Sequence, residues 1–235
     1  MTYLKLPTDE TQRLSFFLAM EEYVARSLPP ADYFFMWQVE PSVIFGRNQQ
    51  LESEVNVDYC RRHGIRLYRR KSGGGCVYAD QSNLMLSYIT AEDQVGVVFH
   101  RFISMILLVL GKLGLQATST SHNDVLIDGR KVSGTAFYRL PDRSIVHGTL
   151  LYDTCMEHMT RAITPGREKL QQNGIQSVRQ RVTLLKDHIP QSLDQVKALI
   201  RQTLCSDEQA LTHADVQAIK QLEQQYLQES FIHLI

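Results

Sequence analysis

Residues 123–152 read NDVLIDGRKVSGTAFYRLPDRSIVHGTLLY, three strand-like runs separated by two turn signals. The first turn signal is Asp128-Gly129, a dipeptide that tolerates the positive φ angles of a two-residue hairpin turn. The second is Pro141 with Asp142, which mark a turn before the last run. Because hairpins join antiparallel neighbours, this stretch predicts a largely antiparallel sheet.

Helix and strand signals alternate along the rest of the chain. Apolar residues at helical spacing predict helices, and short runs rich in β-branched or aromatic residues predict strands. The order of these signals predicts an α+β fold, a mixed and largely antiparallel sheet packed with helices. Two capping boxes, Ser192 with Gln195 and Thr212 with Asp215, mark two helix starts. The predicted helices include 10–27 and 95–113, and the predicted strands include 42–48, 65–70 and 84–90.

Composition restricts the class of protein. Lys+Arg and Asp+Glu each number 25 in 235 residues, so no net field attracts nucleic acid or an anionic membrane. The beginning of the chain does not read as a signal peptide. The most apolar run, FISMILLVL at 102–110, is shorter than the roughly 20 residues of a bilayer span. Four widely spaced cysteines argue against a zinc site or a disulfide framework, which predicts a cytoplasmic protein.

A glycine-rich stretch, RRKSGGG at 69–75, is the first candidate for a binding site. Bare glycines let backbone N–H groups approach an anion or a flat ligand, and Arg69 with Arg70 could clamp a phosphate. The stretch matches neither the dinucleotide-binding nor the Walker pattern. The alternative interpretation of these residues is an ordinary glycine-rich turn flanked by solvated basic side chains.

Polar and charged residues in three other places could join such a site. Lys131 follows the tight turn and would offer a compact charge to a carboxylate or phosphoryl oxygen, unless it simply faces solvent. Asn123 and Asp124 stand at a strand start, where they would either cap a turn or contact substrate or Mg²⁺. Arg179 and Arg181 lie in a polar stretch, 164–183, predicted to be a long loop, and form either a solvated face or a second anion clamp.

Taken together and in this order, four motifs resemble the lipoate–protein ligases of the biotin/lipoate ligase superfamily. They are RRKSGGGCVYADQSN (69–83), NDVLIDGRKVSGTA (123–136), HGTLLYD (147–153) and GIQSVRQRVTLL (174–185). LAMEEYV (18–24) and PSVIFGRNQ (41–49) also resemble the opening helix and first strands of that family. The resemblance covers essentially the whole chain and implies a single catalytic domain over 1–235, with the fold of biotin/lipoate ligase catalytic domains.

The resemblance implies a reaction in two steps. Lipoate and ATP, with Mg²⁺, give lipoyl-AMP and pyrophosphate, and the lipoyl group then passes to one lysine of a lipoyl carrier domain. Such domains belong to 2-oxoacid dehydrogenase complexes and to the glycine-cleavage H protein. Both steps require charge stabilisation and positioning more than a protein nucleophile, which suits glycines, arginines and one lysine.

The family's functional residues fall on specific positions here. Lys131 corresponds to the catalytic lysine that holds the carboxylate and then the acyl-phosphate oxygens. Asn123 and Asp124 correspond to the family's Asn-Asp near the adenylate, and Asp124 is the candidate ligand for Mg²⁺. The residues implied to bind lipoate or lipoyl-AMP are Arg69, Arg70, Ser72, Gly73, Gly74, Gly75, Asn83, Lys131, Gly134, Ala136, His147, Gly148 and Thr149. Those implied to bind ATP are Arg70, Gly75, Cys76, Val77, Tyr78, Asn123, Asp124, Lys131, Arg179 and Arg181.

Cysteine placement separates ligases from transferases that move octanoyl or lipoyl groups through a cysteine nucleophile. The stretches that would carry that cysteine, LQATSTS (115–121) and ITPGREK (163–169), contain none. Cys76 and Cys155 are therefore interpreted as structural. The ligase is favoured over an ATP-independent transferase and over a non-catalytic lipoate-binding relative.

Four features depart from the family pattern. Ala79 and Ser82 stand where the family usually has histidine and glycine, and His122 stands where arginine is common. Residues 211–235 resemble the last helix of the catalytic domain, so the small C-terminal accessory domain of bacterial single-chain ligases is expected to be absent. Either a separate partner protein then assists lipoate activation, or the chain only transfers from preformed lipoyl-AMP.

Overall fold

A computed structural model describes residues 1–8, 10–92, 94–121, 124–163 and 181–233. Short strands recur along this length, and two of the longest, Asn83–Thr90 and Arg143–Leu151, are buried at nearly every position. The strands are β1 (Thr2–Lys5), β2 (Tyr33–Trp37), β3 (Ser42–Phe45), β4 (Arg66–Arg69), β5 (Val77–Ala79), β6 (Asn83–Thr90), β7 (Ala117–Ser119), β8 (Asp124–Ile127), β9 (Arg130–Leu140), β10 (Arg143–Leu151) and β11 (Asp207–Ala210).

These strands form two sheets. The large sheet has the order β11-β1-β2-β6-β10-β9-β8-β7, and the small one has the order β4-β3-β5. In the large sheet β1 pairs in parallel with both β11 and β2, and the remaining pairs are antiparallel. The small sheet joins the parallel pair β3–β4 to the antiparallel pair β3–β5. The predicted mixed, largely antiparallel sheet is confirmed.

Some helices cover the two faces of the large sheet, and others pack against the small sheet. They are α1 (Leu14–Ser27), α2 (Leu51–Glu54), α3 (Val57–Arg62), α4 (Val95–Lys112), α5 (Met156–Ala162), α6 (Leu193–Leu204), α7 (His213–Tyr226) and α8 (Glu229–His233). Side chains alternate across a strand, so in β2 Phe35 and Trp37 belong to the core beneath α1 and α7. Phe34, between them, belongs to the core beneath α4 and α6. A third core joins the small sheet to α3 and α5.

The apolar helix α4 lies against the large sheet with one face buried, including Phe102 and Ile106, as predicted. Val97 and Leu108, on its other side, are exposed. Among the described residues it is the one helix long and apolar enough to cross a membrane by length and composition, with a mean hydropathy of 1.8. One such helix is weak evidence for a membrane span, because core helices of globular proteins pass the same test.

The local signals of the sequence largely predict this architecture. Asp128 and Gly129 have φ angles of 49° and 74° and close a two-residue hairpin between β8 and β9, and Leu140 pairs with Arg143 across the second turn. Both capping boxes are present. The first helix begins at Leu14 rather than at residue 10, and the parallel pair β1–β11 was not predicted. Residues 164–180 of the predicted long loop lie outside the described residues.

Candidate functional site

The glycine-rich loop connects β4 to β5 and rests on the residue that follows β3. Gly74 has a φ of +92°, in the region that favours glycine. A Cβ atom at Gly46 would overlap with the carbonyl oxygen of Gly74, so the loop can approach β3 only where position 46 lacks a side chain. A Cβ atom at Gly75 would meet no atom, because the space beside it is open.

Arg70 holds this loop in shape from within. Its Nε and Nη2 atoms donate to the carbonyl oxygen of Gly73, Nη2 also donates to that of Gly75, and Nη1 donates to that of Ile44. Burial lowers the pKa of its guanidinium to about 10, so Arg70 stays charged at neutral pH. These bonds to main-chain carbonyls order the loop. Arg70 also lines the cavity beside the loop, and its predicted contact with a phosphate stays a prediction.

Arg69 points to the opposite side, and its predicted contact with the ligand is wrong. The side chain is 1% exposed and stacks over the ring of Phe45. Nη1 donates to the carbonyl oxygens of Gly46, Arg47 and Gln49, and Nε donates to that of Ile232. Arg69 thus ties the small sheet to the segment that follows α7.

A buried chain of hydrogen bonds connects the loop to α1 and β10. Ser72 Oγ lies 2.8 Å from His147 Nε2, and His147 Nδ1 lies 2.9 Å from Glu21 Oε2. Ser87 donates to Glu21 Oε1, and the indole of Trp37 donates to Ser87. Ser72 therefore fastens the loop to α1 through His147, and Ser72 itself is only 2% exposed.

Beside the loop lies a narrow cavity of about 120 Å³. Apolar side chains from α1, β2, β3 and β6 form one wall, and the glycine loop with β9 and β10 forms the rest. Polar residues, among them His147 and Thr149, also line it. The apolar residues are Leu18, Trp37, Ile44 and Met85. A slot of this kind suits an extended, apolar chain.

A wide cavity of about 510 Å³ adjoins the narrow one. Its lining includes the charged side chains of Glu54, Asp124 and Arg181. Arg181 reaches it because Val182 pairs with Lys131 and Thr183 donates its N–H to the carbonyl oxygen of Lys131. The two cavities share Gly75, Cys76, Val77, Lys131, Gly134 and Thr149.

Lys131 lies where the two cavities meet, in an ion pair with Asp124 (Nζ to Oδ1, 2.8 Å). Asp124, Gly134 and Thr149 lie side by side on three neighbouring strands. The pairing of β8 with β9 shifts by one residue at Val125/Leu126, so Val132 is an extra residue in β9. That bulge brings Lys131 and Gly134, three residues apart, to the same face, and a Cβ at Gly134 would lie 2.7 Å from Lys131 Nζ.

Most of the predicted site residues that the structure describes line these cavities. The narrow cavity contains Arg70, Gly74, Gly75, Cys76, Val77, Lys131, Gly134, Ala136, His147, Gly148 and Thr149. The wide cavity contains Gly75, Cys76, Val77, Tyr78, Asp124, Lys131, Gly134, Thr149 and Arg181. Asn123 and Arg179 lie outside the described residues, and the magnesium role of Asp124 stays a prediction.

Of the described residues in the predicted set, Arg69, Ser72, Gly73 and Asn83 line neither cavity. Asn83 is fully buried and donates its side-chain N–H to the carbonyl oxygen of Tyr78, which fixes the turn after β5. Gly73 instead accepts hydrogen bonds from Arg70 through its carbonyl. These residues support the site without lining either cavity, and the predicted ligand contacts of Ser72, Gly73 and Asn83 stay predictions.

Several cavity residues were missed, among them Leu18, Trp37, Met85 and Glu54. Apolar slot residues look like ordinary core positions, so the sequence offers no signal for them. Glu21 did carry a signal, because an acidic residue in the apolar LAMEEYV run is unusual unless it has buried partners.

Comparison with known proteins agrees with this geometry. Residues 14–205 match the model of the family described as lipoyl protein ligase A/B catalytic domain. The chain is 38% identical over 176 residues to lipoate-protein ligase LplJ of Bacillus subtilis, covering 73% of this chain and 53% of that protein. It is 36% identical over 215 residues to lipoate–protein ligase 1 of Staphylococcus aureus, covering 87% of this chain and 65% of that protein.

The chain thus spans 53% and 65% of the length of these two curated relatives. Among solved structures it is similar to one of an archaeal lipoylation system, a bipartite lipoate protein ligase and its E2 lipoyl domain from Thermoplasma acidophilum. The TM-score is 0.86 at 26% identity, over 99% of this chain and 95% of that one. With two adjoining cavities around one lysine and a family match over most of its length, the chain belongs to the lipoyl protein ligase A/B catalytic-domain family.

Proposed function

We propose that the chain acts as a lipoate–protein ligase, which activates lipoate with ATP to lipoyl-AMP and transfers the lipoyl group to a carrier lysine. The observation that carries this proposal is the junction of the narrow and wide cavities at Lys131. An acyl-adenylate has three matching parts: an apolar chain, a nucleotide and the mixed anhydride between them. Bound across the junction, it would place the anhydride beside the Lys131 ammonium.

Lys131 would serve both chemical steps by stabilising negative charge. In the first step a lipoate carboxylate oxygen attacks the α-phosphorus of ATP, and pyrophosphate leaves. In the second step the amine of the carrier lysine attacks the acyl carbonyl, and AMP leaves. In each case charge develops on oxygens at the junction, where a fixed ammonium is most effective. The ion pair with Asp124 holds that ammonium in place.

The residues of the wide cavity suit Mg²⁺ bound together with the phosphates of ATP. This ion binds through one or two carboxylates together with substrate phosphates, and Asp124 and Glu54 both line the cavity. The described part of the chain has no group of three or more His, Cys, Asp or Glu side chains that could hold a metal alone, so phosphates and water would complete the coordination. When bound, the ion would neutralise phosphate charge, with Asp124 as its first protein ligand.

The proposed acceptors are lipoyl carrier domains, such as those of 2-oxoacid dehydrogenase complexes and the glycine-cleavage H protein. The similarity to the Thermoplasma acidophilum ligase, which is described with its E2 lipoyl domain, supports this class of partner. That ligase is described as bipartite, which supports the further proposal that a separate accessory subunit assists activation. We also propose a cytoplasmic location, which the four free cysteines support.

Mass spectrometry of a lipoyl domain tests the proposal directly. The domain is incubated with the chain, lipoate, ATP and Mg²⁺, and in a parallel reaction with lipoyl-AMP alone. Lipoylation of one lysine in both reactions is the expected result. If the domain is lipoylated from lipoyl-AMP but not from lipoate and ATP, even after a candidate accessory protein is added, the chain catalyses only the transfer step. If neither reaction modifies the domain, the proposal fails.

A cysteine-dependent transferase is the second candidate, because Cys76 lines both cavities. Cys155, in contrast, is exposed and lies at the N-terminal end of α5. A double Cys76→Ala/Cys155→Ala variant distinguishes the two mechanisms. The ligase predicts activity within a few fold of wild type in this variant, whereas the transferase predicts complete loss and a thioester that can be trapped on the wild-type chain.

A further inference from the structure

Two adjacent glutamates of α1 are linked to two consecutive residues of the glycine loop, Glu22 directly to Lys71 and Glu21 to Ser72 through His147. We infer that they are positioning residues, which set the distance between the loop and the opposite wall of the narrow cavity and thereby the affinity for the acyl substrate. The inference rests on the proposed function, because it concerns how the same cavity holds lipoate.

The first contact joins Glu22 to Lys71. Glu22 is 2% exposed, and its Oε2 atom accepts from Lys71 Nζ at 2.6 Å and from the Tyr226 hydroxyl at 2.9 Å. Arg26 donates to Oε1 from the solvent side. Burial raises the pKa of Glu22, but the hydrogen bond and charge of Lys71 outweigh it, so the net pKa lies below the ordinary value. Glu22 is therefore a charged partner for Lys71 at neutral pH.

The second contact joins Glu21 to Ser72 through His147, as described above. Ser87 occupies the other Glu21 oxygen, so Glu21, His147 and Ser72 form a buried chain with little freedom to rearrange. Arg70, the residue before Lys71, is bound to loop carbonyls. Three consecutive loop residues are thus fixed, two of them by α1.

The same face of α1 also forms part of the cavity. Leu18, Glu21 and Glu22 are spaced i, i+3 and i+4 along the helix, so they lie on one face. Leu18 contributes to the wall of the narrow cavity, while the two glutamates hold the loop that forms the facing side. One helix therefore sets the distance between the two sides of the narrow cavity. If the loop lost its link to either glutamate, the narrow cavity would widen.

The test compares Lys71→Met with a matched control, Arg26→Met. Both variants remove one cationic partner of Glu22, but Arg26 does not belong to the loop, and its side chain is 53% exposed. For Lys71→Met we expect KM for lipoate to rise about tenfold or more with kcat changed less than about threefold, which indicates lost ground-state binding. Arg26→Met should leave both constants near wild type, and Lys71→Arg should restore most of the affinity.

Hydrogen exchange followed by mass spectrometry gives a readout that needs no activity. In Lys71→Met the amides of the loop, residues 70–76, should exchange at least about tenfold faster, while those of β6 and β10 keep their wild-type rates. Glu21→Gln should have the same local effect through Ser72. Faster exchange throughout the protein, an unchanged KM in Lys71→Met, or an equal rise of KM in Arg26→Met would each overturn the inference. A wild-type chain that lipoylates nothing would instead overturn the proposed function, and the exchange rates would still test the loop contacts.

Discussion

Lys131 Nζ lies 2.8 Å from Asp124 Oδ1, at the one boundary that the narrow and wide cavities share. The pair spans adjacent strands, and the Lys131 side chain crosses above Gly134 to reach its partner. Asp124 and Lys131 are both partly exposed, so the pair itself adds little to folding stability. The ion pair instead fixes the position of the Lys131 ammonium.

Replacing Lys131 by Met should remove that charge while keeping most of the side-chain volume. Loss of one preorganised electrostatic contact typically lowers a rate by about 100- to 1,000-fold, and we expect this loss in both adenylation and transfer. The two steps can be measured separately, by lipoate-dependent ATP–pyrophosphate exchange and by transfer from lipoyl-AMP. A loss confined to one step would contradict the proposed shared role.

Replacing Gly134 by Ala should displace Lys131 without unfolding the chain. The added Cβ would lie 2.7 Å from both Cε and Nζ of Lys131, the mobile end of a side chain, so that end must move. Misplacement of a catalytic group by about 1 Å can reduce a rate roughly 100-fold. We expect such a loss in pyrophosphate exchange, with a thermal midpoint close to that of wild type.

Gly111→Ala is the matched control for this substitution. Gly111 lies in α4, and a Cβ there would meet no atom within 4 Å. Alanine in a helix is favoured over glycine by about 0.5–1 kcal/mol, so this variant should be slightly more stable and fully active. If Gly134→Ala proved as active as Gly111→Ala, the placement of Lys131 over Gly134 would not matter for catalysis.

Arg69 and Lys131 show how well the sequence predicts which residues line the site. Both were predicted to contact the ligand because they occupy family motif positions, yet only Lys131 lines the two cavities. Consecutive residues at the end of a strand point in opposite directions, so Arg69 and Arg70 could never share one clamp. Local signals, such as Asp128-Gly129 and the capping boxes, were read correctly because the residues that make each of them are close in sequence.

Features that depend on distant parts of the chain could not be predicted. The bulge at Val132 depends on the pairing of β8 with β9, and it decides that Lys131 and Gly134 share a face. The apolar residues of the narrow cavity come from α1, β2, β3 and β6, and each alone looks like a core residue. Even the edge strand β11 carries the polar sequence DEQA, which has no strand signal.

Arg69→Met should destabilise the protein rather than inactivate it. The substitution leaves four main-chain carbonyls without their buried, charged donor, and we expect the free energy of unfolding to fall on the order of 3 kcal/mol. Urea unfolding measures this change, and lipoylation per folded molecule should remain within a few fold of wild type. If the Arg69→Met variant were inactive but had a normal free energy of unfolding, Arg69 would have to contact the ligand.

Tyr23 and Asp215 should contribute a pH-dependent part of stability. The hydrogen bond from Tyr23 lowers the pKa of Asp215, and the same bond raises the pKa of Tyr23 to about 12. A carboxyl with a depressed folded pKa stabilises the protein above its unfolded value, about 3.9, and loses this effect as pH falls through the folded value.

Urea unfolding of wild type and Tyr23→Phe at several pH values tests this expectation. The stability difference between the two should be present at pH 7, should shrink as the pH falls below about 4, and should also shrink as it rises from about 10 to 12. Because both groups are partly exposed, we expect a difference of at most about 1 kcal/mol. A difference that stays constant across this whole range would show that the hydrogen bond is not coupled to titration.

Leu18→Phe should separate the two substrates of the proposed reaction. Leu18 is buried on α1 and lines the narrow cavity, whereas the lining of the wide cavity comes from other elements. The larger ring should fill part of a space of about 120 Å³ and raise KM for lipoate, while KM for ATP changes little. Trp37, the single tryptophan, lines the same cavity, so its fluorescence should report lipoate binding in wild type and a weaker response in the variant. Equal increases in KM for lipoate and ATP would mean that the acyl chain does not occupy the narrow cavity.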